Sequence, residues 1–469
     1  MSSTIHDDLS GLLRRLDGAM RLHDTGVEVL DAQAIRSGLI DELAWTAVFG
    51  AGHARDAARW LIRALAPALG AWPASIHDLY MAAGRDAYSN VTTPAINVRG
   101  MAYDVARTVF RAAGATATRQ VIFELARSET RYTDQRPAEY ASVVLAAAIR
   151  EGWQGPVFIQ GDHYQANAKR YAADPEAEIR AVRELALEAI AAGYGNIDID
   201  CSTLVDLSRP TLAEQQELNA RHTAELTKAI RDAQPQGLMI SVGGEIGEVG
   251  KANSTVEDLT AFMEGYQREL ARLGPDLVGI SKISVQTGTS HGGVVLPDGT
   301  IADVAVDFET LARLSRAARD EWGLGGAVQH GASTLPESAF RRFAEANAVE
   351  VHLATAFQNV IFDSPAFPED LRQQIYAYLV EHHGDERKPD QTDAQFFYTT
   401  RKQAFGPFKR QLWSLPAETR ESICGELQPR FELIFRELQV AGKGELVDRF
   451  VQRVDVEVPA PEGVLARLG

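Results

Sequence analysis

Apolar residues recur at helical spacing through the first part of the chain. Ile35 to Leu43 and Ala54 to Leu69 place them three and four residues apart, with alanine between, the pattern of helices that bury one face. Ala71-Trp72-Pro73-Ala74 interrupts this texture and predicts a break, so 1–74 reads as an all-helical N-terminal extension. From about residue 75 short apolar runs of strand type alternate with helical stretches. Eight such runs stand out: Thr93–Val98, Val121–Leu125, Val157–Gly161, Asn196–Asp200, Leu238–Val242, Leu277–Ile283, Ala327–Gln329 and Val349–Leu353. Periodic helical segments such as Pro175–Ala192 and Thr211–Ala233 lie between them. This alternation predicts βαβ units and a parallel sheet. Eight units without a ninth predict closure into a (β/α)8 TIM barrel over 75–364, with an open doubly wound sheet as the alternative. Residues 365–469 lose the strand runs and read as a C-terminal helical region, with a polar loop over Gly384 to Ala394.

Composition narrows the function classes. The chain of 469 residues is 45% hydrophobic and 24% charged, enough apolar material for a sizeable core. Its net charge of −17, with no run of Lys and Arg, argues against a nucleic-acid partner. A small anionic substrate held by a few cations in a cleft remains compatible with it. The two cysteines, Cys201 and Cys424, make neither a disulfide framework nor a Cys-based metal site, and fit a cytoplasmic protein. Met1 to Leu12 lacks the features of a signal peptide, and no apolar stretch has the length of a membrane span.

The candidate chemistry follows the strands. Strand three runs into Gly161-Asp162-His163, strand five into Gly243-Gly244-Glu245-Ile246-Gly247-Glu248. Strand six leads to His291-Gly292-Gly293, and strand seven to His330-Gly331-Ala332-Ser333. In a barrel these C-terminal strand ends share one face, where active sites are built. Three histidines there could converge on zinc, cobalt or a related divalent ion, with Glu245 as a fourth ligand. Each histidine alone is more often a hydrogen-bonded turn residue; the shared position at strand ends is what singles them out. The spacing Gly243-Gly244-x-x-Gly247-x-x-Gly250 is not that of a dinucleotide fingerprint.

In this order and at these strand ends, Asp162-His163, Glu245, His291-Gly292 and His330-Gly331-Ala332-Ser333 resemble the class II fructose-bisphosphate aldolases. Thr93-Pro94-Ala95-Ile96-Asn97-Val98 is similar to that family's first strand, and the likeness covers about 75–360. The resemblance implies roles. His163, His291 and His330 would bind the metal, and Glu245 would bind it in an alternative position. Asp162 would be the acid/base at the cleaved carbon. Gly331 and Ser333 would fall in one phosphate turn and Thr355 in the second, with Asn97 and Gly292 also contacting substrate. A monovalent-cation site beside His291 and His330, a phosphorylated ketose as substrate, a place in glycolysis or related carbohydrate metabolism, and a dimer or larger homo-oligomer are implied as well. The metal would act as a Lewis acid on the ketone while a carboxylate moves the hydroxyl proton.

The sequence departs from that pattern in places. The stretch after strand five is short, which leaves Glu248 as the candidate second base. The family's strand-eight Asn-x-Asp-Thr becomes His352-Leu353-Ala354-Thr355, and Ala332 replaces a glycine of the phosphate turn. Two other readings stand beside the metal aldolase. Lys282, inside strand six, could form a Schiff base if burial lowers its pKa, or could support an anionic group. The segments Gly161-Asp162-His163 and Asp198-Ile199-Asp200 are similar to a non-catalytic barrel, the accessory subunit of tagatose-bisphosphate aldolases. The cluster Arg401, Lys402, Lys409 and Arg410 could reach over the barrel mouth or line a solvated helix face.

Overall fold

The computed structural model describes residues 4–23, 26–247, 252–288, 296 and 306–465. Eight parallel strands close a barrel: β4 (Thr93–Asn97), β5 (Ile122–Ala126), β6 (Gly155–Gln165), β7 (Asn196–Asp200), β8 (Ser241–Glu245), β9 (Lys282–Val285), β10 (Ala327–Gln329) and β11 (Glu350–Leu353). Each pairs with the next, and β11 pairs back onto β4, so the eight-stranded barrel itself has no open edge. Helices such as Ala102–Ala115, Pro137–Arg150 and Pro175–Ala192 alternate with the strands. The barrel expectation is met.

The first 74 residues are not all helical. β1 (Met20–His23) and β2 (Gly26–Val29) form an antiparallel pair in which Arg21 donates to Glu28 at 2.8 Å. The expected break at Ala71-Trp72-Pro73-Ala74 is a strand, β3 (Ala71–Ala74), parallel to the first residues of β6. Proline is tolerated because β3 is the edge of the sheet, where one side needs no N–H.

Two strands begin later than their apolar runs. The expected runs Leu238–Val242 and Leu277–Ile283 become β8 and β9, which start at Ser241 and Lys282. The guanidinium of Arg231 explains the offset. It donates to the carbonyls of Val278, Gly279 and Ile240 at 2.7, 2.9 and 2.7 Å, satisfying there what a neighbouring strand would otherwise satisfy. At the other end of β8, Gly243 continues the strand. A Cβ there would lie 2.3 Å from Asp198 Oδ1 and 3.0 Å from Lys282 Cε, so glycine marks close packing inside the barrel, not a turn.

The strands' N-terminal ends are closed by helix His77–Gly84. Its Leu79, Tyr80 and Ala83 pack with Ala95, Ile122, Phe158, Val328 and Val349. A second, larger core runs from Leu12 through the barrel helices to Val464, so both terminal regions share it. Among the described residues no helix is long and apolar enough to cross a membrane.

Candidate active site

The site begins with an irregularity in β6. Its register against β7 shifts between Gly161 and Tyr164, and His163 adopts φ 41°, in the left-handed region. A bulge of this kind re-aims neighbouring side chains and is common beside functional sites. Asp162 and His163 are thereby both brought to the C-terminal mouth, where His330 meets them from the end of β10. The His163 and His330 rings lie 4.0 Å apart between centroids, and one ligand atom from each of Asp162, His163 and His330 lies within 4.8 Å of the others. Gly331, at φ 69°, makes the left-handed turn directly after His330.

Carboxylates surround His163. Its Nδ1 lies 3.1 Å from Asp200 Oδ2 and 3.1 Å from Glu245 Oε2. Burial alone would lower this imidazole, but Glu245, Asp162 and Asp200 outweigh it and hold its pKa well above the ordinary value. Burial, reinforced by Asp200, pushes Glu245 up to about 7. Burial would likewise raise Asp162, yet His163, His352 and His330 hold it well below the carboxylate range. Asp162 Oδ2 also accepts from Asn97 Nδ2 at 3.0 Å. The donor set suits a divalent ion: two imidazoles from different strands with acidic groups beside them. The field that favours a proton on His163 would favour a metal cation there as well.

Several expected residues thus come together: Asp162, His163, His330, Glu245 and Asn97. Gly331, Ser333 and Thr355 line a cavity of about 830 Å³ together with Asn97, Asp162, His163 and His330, and Thr355 is the first residue of helix Thr355–Asp363. Three expected residues, His291, Gly292 and Glu248, lie outside the described residues.

The Schiff-base reading of Lys282 is corrected. Burial would lower its pKa, but Asp198 and Glu350 outweigh it and raise it. Its Nζ lies 2.9 Å from Asp198 and 2.6 Å from Glu350, so it is a charged, ion-paired group and not a free amine. Of the C-terminal cations, Arg401 pairs with Asp363 at 2.5 Å, Lys409 with Glu139 at 2.5 Å, and Arg410 lies over the Phe49 ring. Lys402 alone of these four lines the cavity, where it sits 5.9 Å over the Tyr132 ring.

Sequence reasoning took His352 for a core or supporting residue, noted Asp198 and Asp200 only in their likeness to an accessory barrel, and missed Glu124 and Glu350. A signal was available. Asp198 and Asp200, and Glu350 and His352, are spaced two apart on strands, so each pair shares one face, and both faces are buried. Charge repeated at period two in an otherwise apolar strand marks an interior polar layer.

Residues 77–402 match the model of the family described as fructose-bisphosphate aldolase class-II. The chain belongs to this family. No curated protein matches it. Among solved structures, the fructose-bisphosphate aldolase of Campylobacter jejuni is 17% identical at a TM-score of 0.46, over 80% of this chain and 97% of its own. A Sinorhizobium meliloti 1021 protein, named as a probable tagatose 6 phosphate kinase, is 14% identical at a TM-score of 0.53, over 76% and 99%. The fructuronate-tagaturonate epimerase UxaE of Cohnella laeviribosi is 13% identical at a TM-score of 0.50, over 95% and 91%. At these identities the likeness is one of fold. Class II membership rests on the family model.

Proposed function

We propose that the protein is a metal-dependent aldolase that cleaves and re-forms a carbon–carbon bond in an anionic, phosphorylated ketose. The observation that carries this reading is the meeting of Asp162, His163 and His330 at one end of a barrel of the class II aldolase family. His163 and His330 would hold a divalent ion, zinc or cobalt, with His291 as the expected third ligand and Glu245 as the spare one. Bound there, the ion supplies Lewis-acid stabilisation of the enediolate charge that cleavage creates.

The chain's own residues do the rest. Asp162, ionised and held by Asn97, takes the proton from the carbinol oxygen as the bond breaks. It returns that proton when the bond forms. A second acid/base, for which Glu248 is the candidate, would give and take the proton at the nucleophilic carbon so that the ketone half can leave. Asp200 fixes the His163 ring by its contact with Nδ1. The turn at Gly331 and Ser333, with Thr355 at the helix start, is suited to one anionic end of the substrate. Lys402 offers a cation to the same cavity; among the described residues no carboxylate lies within ion-pair distance of it. The family also implies a homo-oligomer.

A second reading is favoured by one observation. The fold match to the Cohnella epimerase covers 95% of this chain and so reaches into both terminal regions, whereas the aldolase family model is confined to 77–402. Retro-aldol cleavage, rotation of the aldehyde and re-addition to its other face would invert one carbon with the same groups, the hydroxyl proton leaving to Asp162 and returning from it. A carboxylate-bearing ketose would then take the place of the phosphorylated one.

The test is incubation with fructose 1,6-bisphosphate and, separately, with tagaturonate, with metal content determined on the same sample before and after chelation. Release of triose phosphate that stops on chelation and returns with zinc or cobalt supports the aldolase. Metal-dependent formation of fructuronate without release supports the epimerase. A metal-loaded protein inert to both would overturn the epimerase reading and move the search to other phosphorylated ketoses. A protein that takes up no metal and cleaves none of them would overturn the aldolase and favour the accessory barrel.

A further inference from the structure

Beneath the histidines the barrel interior carries charge where barrels of this kind stack branched aliphatic side chains. Glu124, Gln160, Asp198, Lys282, Glu350 and His352 are each no more than 5% exposed. Lys282 Nζ donates to Gln160 Oε1 at 2.8 Å, to Asp198 Oδ2 at 2.9 Å and to Glu350 Oε1 at 2.6 Å. Tyr80, from the helix that closes the far end, donates to Glu350 Oε2 at 2.5 Å. Glu350 is thus tied on both oxygens and forms a rigid anchor.

His352 stands between this anchor and Asp162. Its Nε2 lies 2.6 Å from Glu350 Oε1, and its Nδ1 lies 3.0 Å from Asp162 Oδ1 and 3.1 Å from Glu124 Oε1. Each nitrogen of the His352 ring thus faces a carboxylate oxygen within hydrogen-bond distance, and the ring bridges Glu350 to Asp162. Its ring also packs 4.1 Å from that of His330. Asp162 is therefore gripped from two sides, Oδ1 by His352 and Oδ2 by Asn97. Charge-assisted bonds of this kind fix the plane of a carboxylate more firmly than neutral ones.

We propose that His352 is a positioning residue: braced on Glu350 and Lys282, it sets the orientation of the Asp162 carboxylate for proton transfer. This rests on the reading of Asp162 as the acid/base. Misplacing a reacting group by about 1 Å can cost about 100-fold in rate without weakening substrate binding.

Crystal structures and cleavage kinetics of His352→Ala and Glu350→Gln, alone and combined with Asp162→Asn, test this. The Asp162 carboxylate is expected to rotate out of its present plane in both single variants, with metal content unchanged. Cleavage of fructose 1,6-bisphosphate is expected to lose about 100-fold in kcat in His352→Ala, with KM within about twofold. No further loss is expected when Asp162→Asn is already present, because the effect passes through Asp162. His352→Gln, which can still donate to Asp162, should recover part of the rate. An unmoved carboxylate, losses that multiply with those of Asp162→Asn, or a change in KM alone would overturn the inference. If His352→Ala does not fold, Glu350→Gln keeps the buried volume and puts the Asp162 orientation to the same test. If the native protein cleaves nothing, the proposed function fails, and the Asp162 orientation in the variant structures still decides the positioning role.

Discussion

At the residue scale, two buried groups give measurable consequences away from the proposed proton transfer. Asp200 is fully buried and accepts from Gln165 Nε2 and from Ser202, while its Oδ2 faces His163 Nδ1. A carboxylate so placed orients a ligating imidazole and raises its basicity. Asp200→Asn is expected to weaken zinc binding about 10–100-fold, read by competition with a chromophoric chelator. Unchanged affinity would remove His163 from the ligand set. His77 behaves differently. Burial, helped by Arg231 and Arg85, lowers its pKa from 6.5 to about 4, and its Nδ1 has no hydrogen-bond partner among the described residues. Below pH 6.5 the unfolded chain takes up a proton that the folded chain refuses, so stability falls as pH drops toward 4. At pH 5 the loss from this group is about 2 kcal/mol. His77→Phe should therefore show a smaller stability difference between pH 7 and pH 5 by that amount, measured by urea denaturation. An equal difference in both proteins would refute the assignment.

At the scale of elements, the docking of β3 depends on one glycine. A Cβ on Gly195 would lie 2.2 Å from the carbonyl oxygen of Ala74 and 2.9 Å from the amide nitrogen of Ser75, both backbone atoms that cannot rotate away. Gly195→Ala should cost about 1–3 kcal/mol of stability. Gly114→Ala, in helix Ala102–Ala115 with nothing near its added carbon, should be neutral or slightly stabilising. Comparable losses in both would show that β3 does not constrain position 195. The same element shows why some of the fold was hard to read. The eight barrel strands were legible because each is an apolar run bounded by helices. β3 was hidden because proline and tryptophan in a four-residue segment give no period, and its pairing partner is β6, far along the chain. The second half of β8 was hidden because glycine required by Asp198 and Lys282 looks locally like a turn. The site divides along the same line. Asp162, His163 and His330 announce themselves by chemical type at strand ends. The period-two spacing of Asp198 with Asp200 and of Glu350 with His352 marks a buried polar face, but the contacts of Asp200 with His163 and of His352 with Asp162 join different strands, and no local spacing encodes them.

At the scale of the whole molecule, the terminal regions hold the barrel between them. Asp41 accepts from Tyr103 Oη at 2.6 Å and pairs with Arg150 at 3.2 Å, tying the N-terminal helices to two barrel helices. Trp413 meets Trp45 edge-on at 5.5 Å and stacks on Tyr103 at 6.0 Å, so both terminal regions and the barrel join at one aromatic cluster. Trp60 Nε1 donates to the carbonyl of Val458 at 2.9 Å, and Arg420 pairs with Asp104 at 3.2 Å. Lys402 extends this arrangement to the cavity itself, since it comes from beyond the last barrel strand. We therefore expect the chain to unfold as one cooperative unit despite its length. Tryptophan fluorescence and far-ultraviolet circular dichroism should give coincident denaturation curves. A fragment of 75–364 would lose Asp41 and Trp413 from its flank, expose Tyr103, and leave Arg150 without its buried acid. It should be insoluble or lack a cooperative transition. A soluble fragment with a sharp melt, together with two separated transitions in the full chain, would instead make the barrel an independent domain and reduce the terminal regions to attachments.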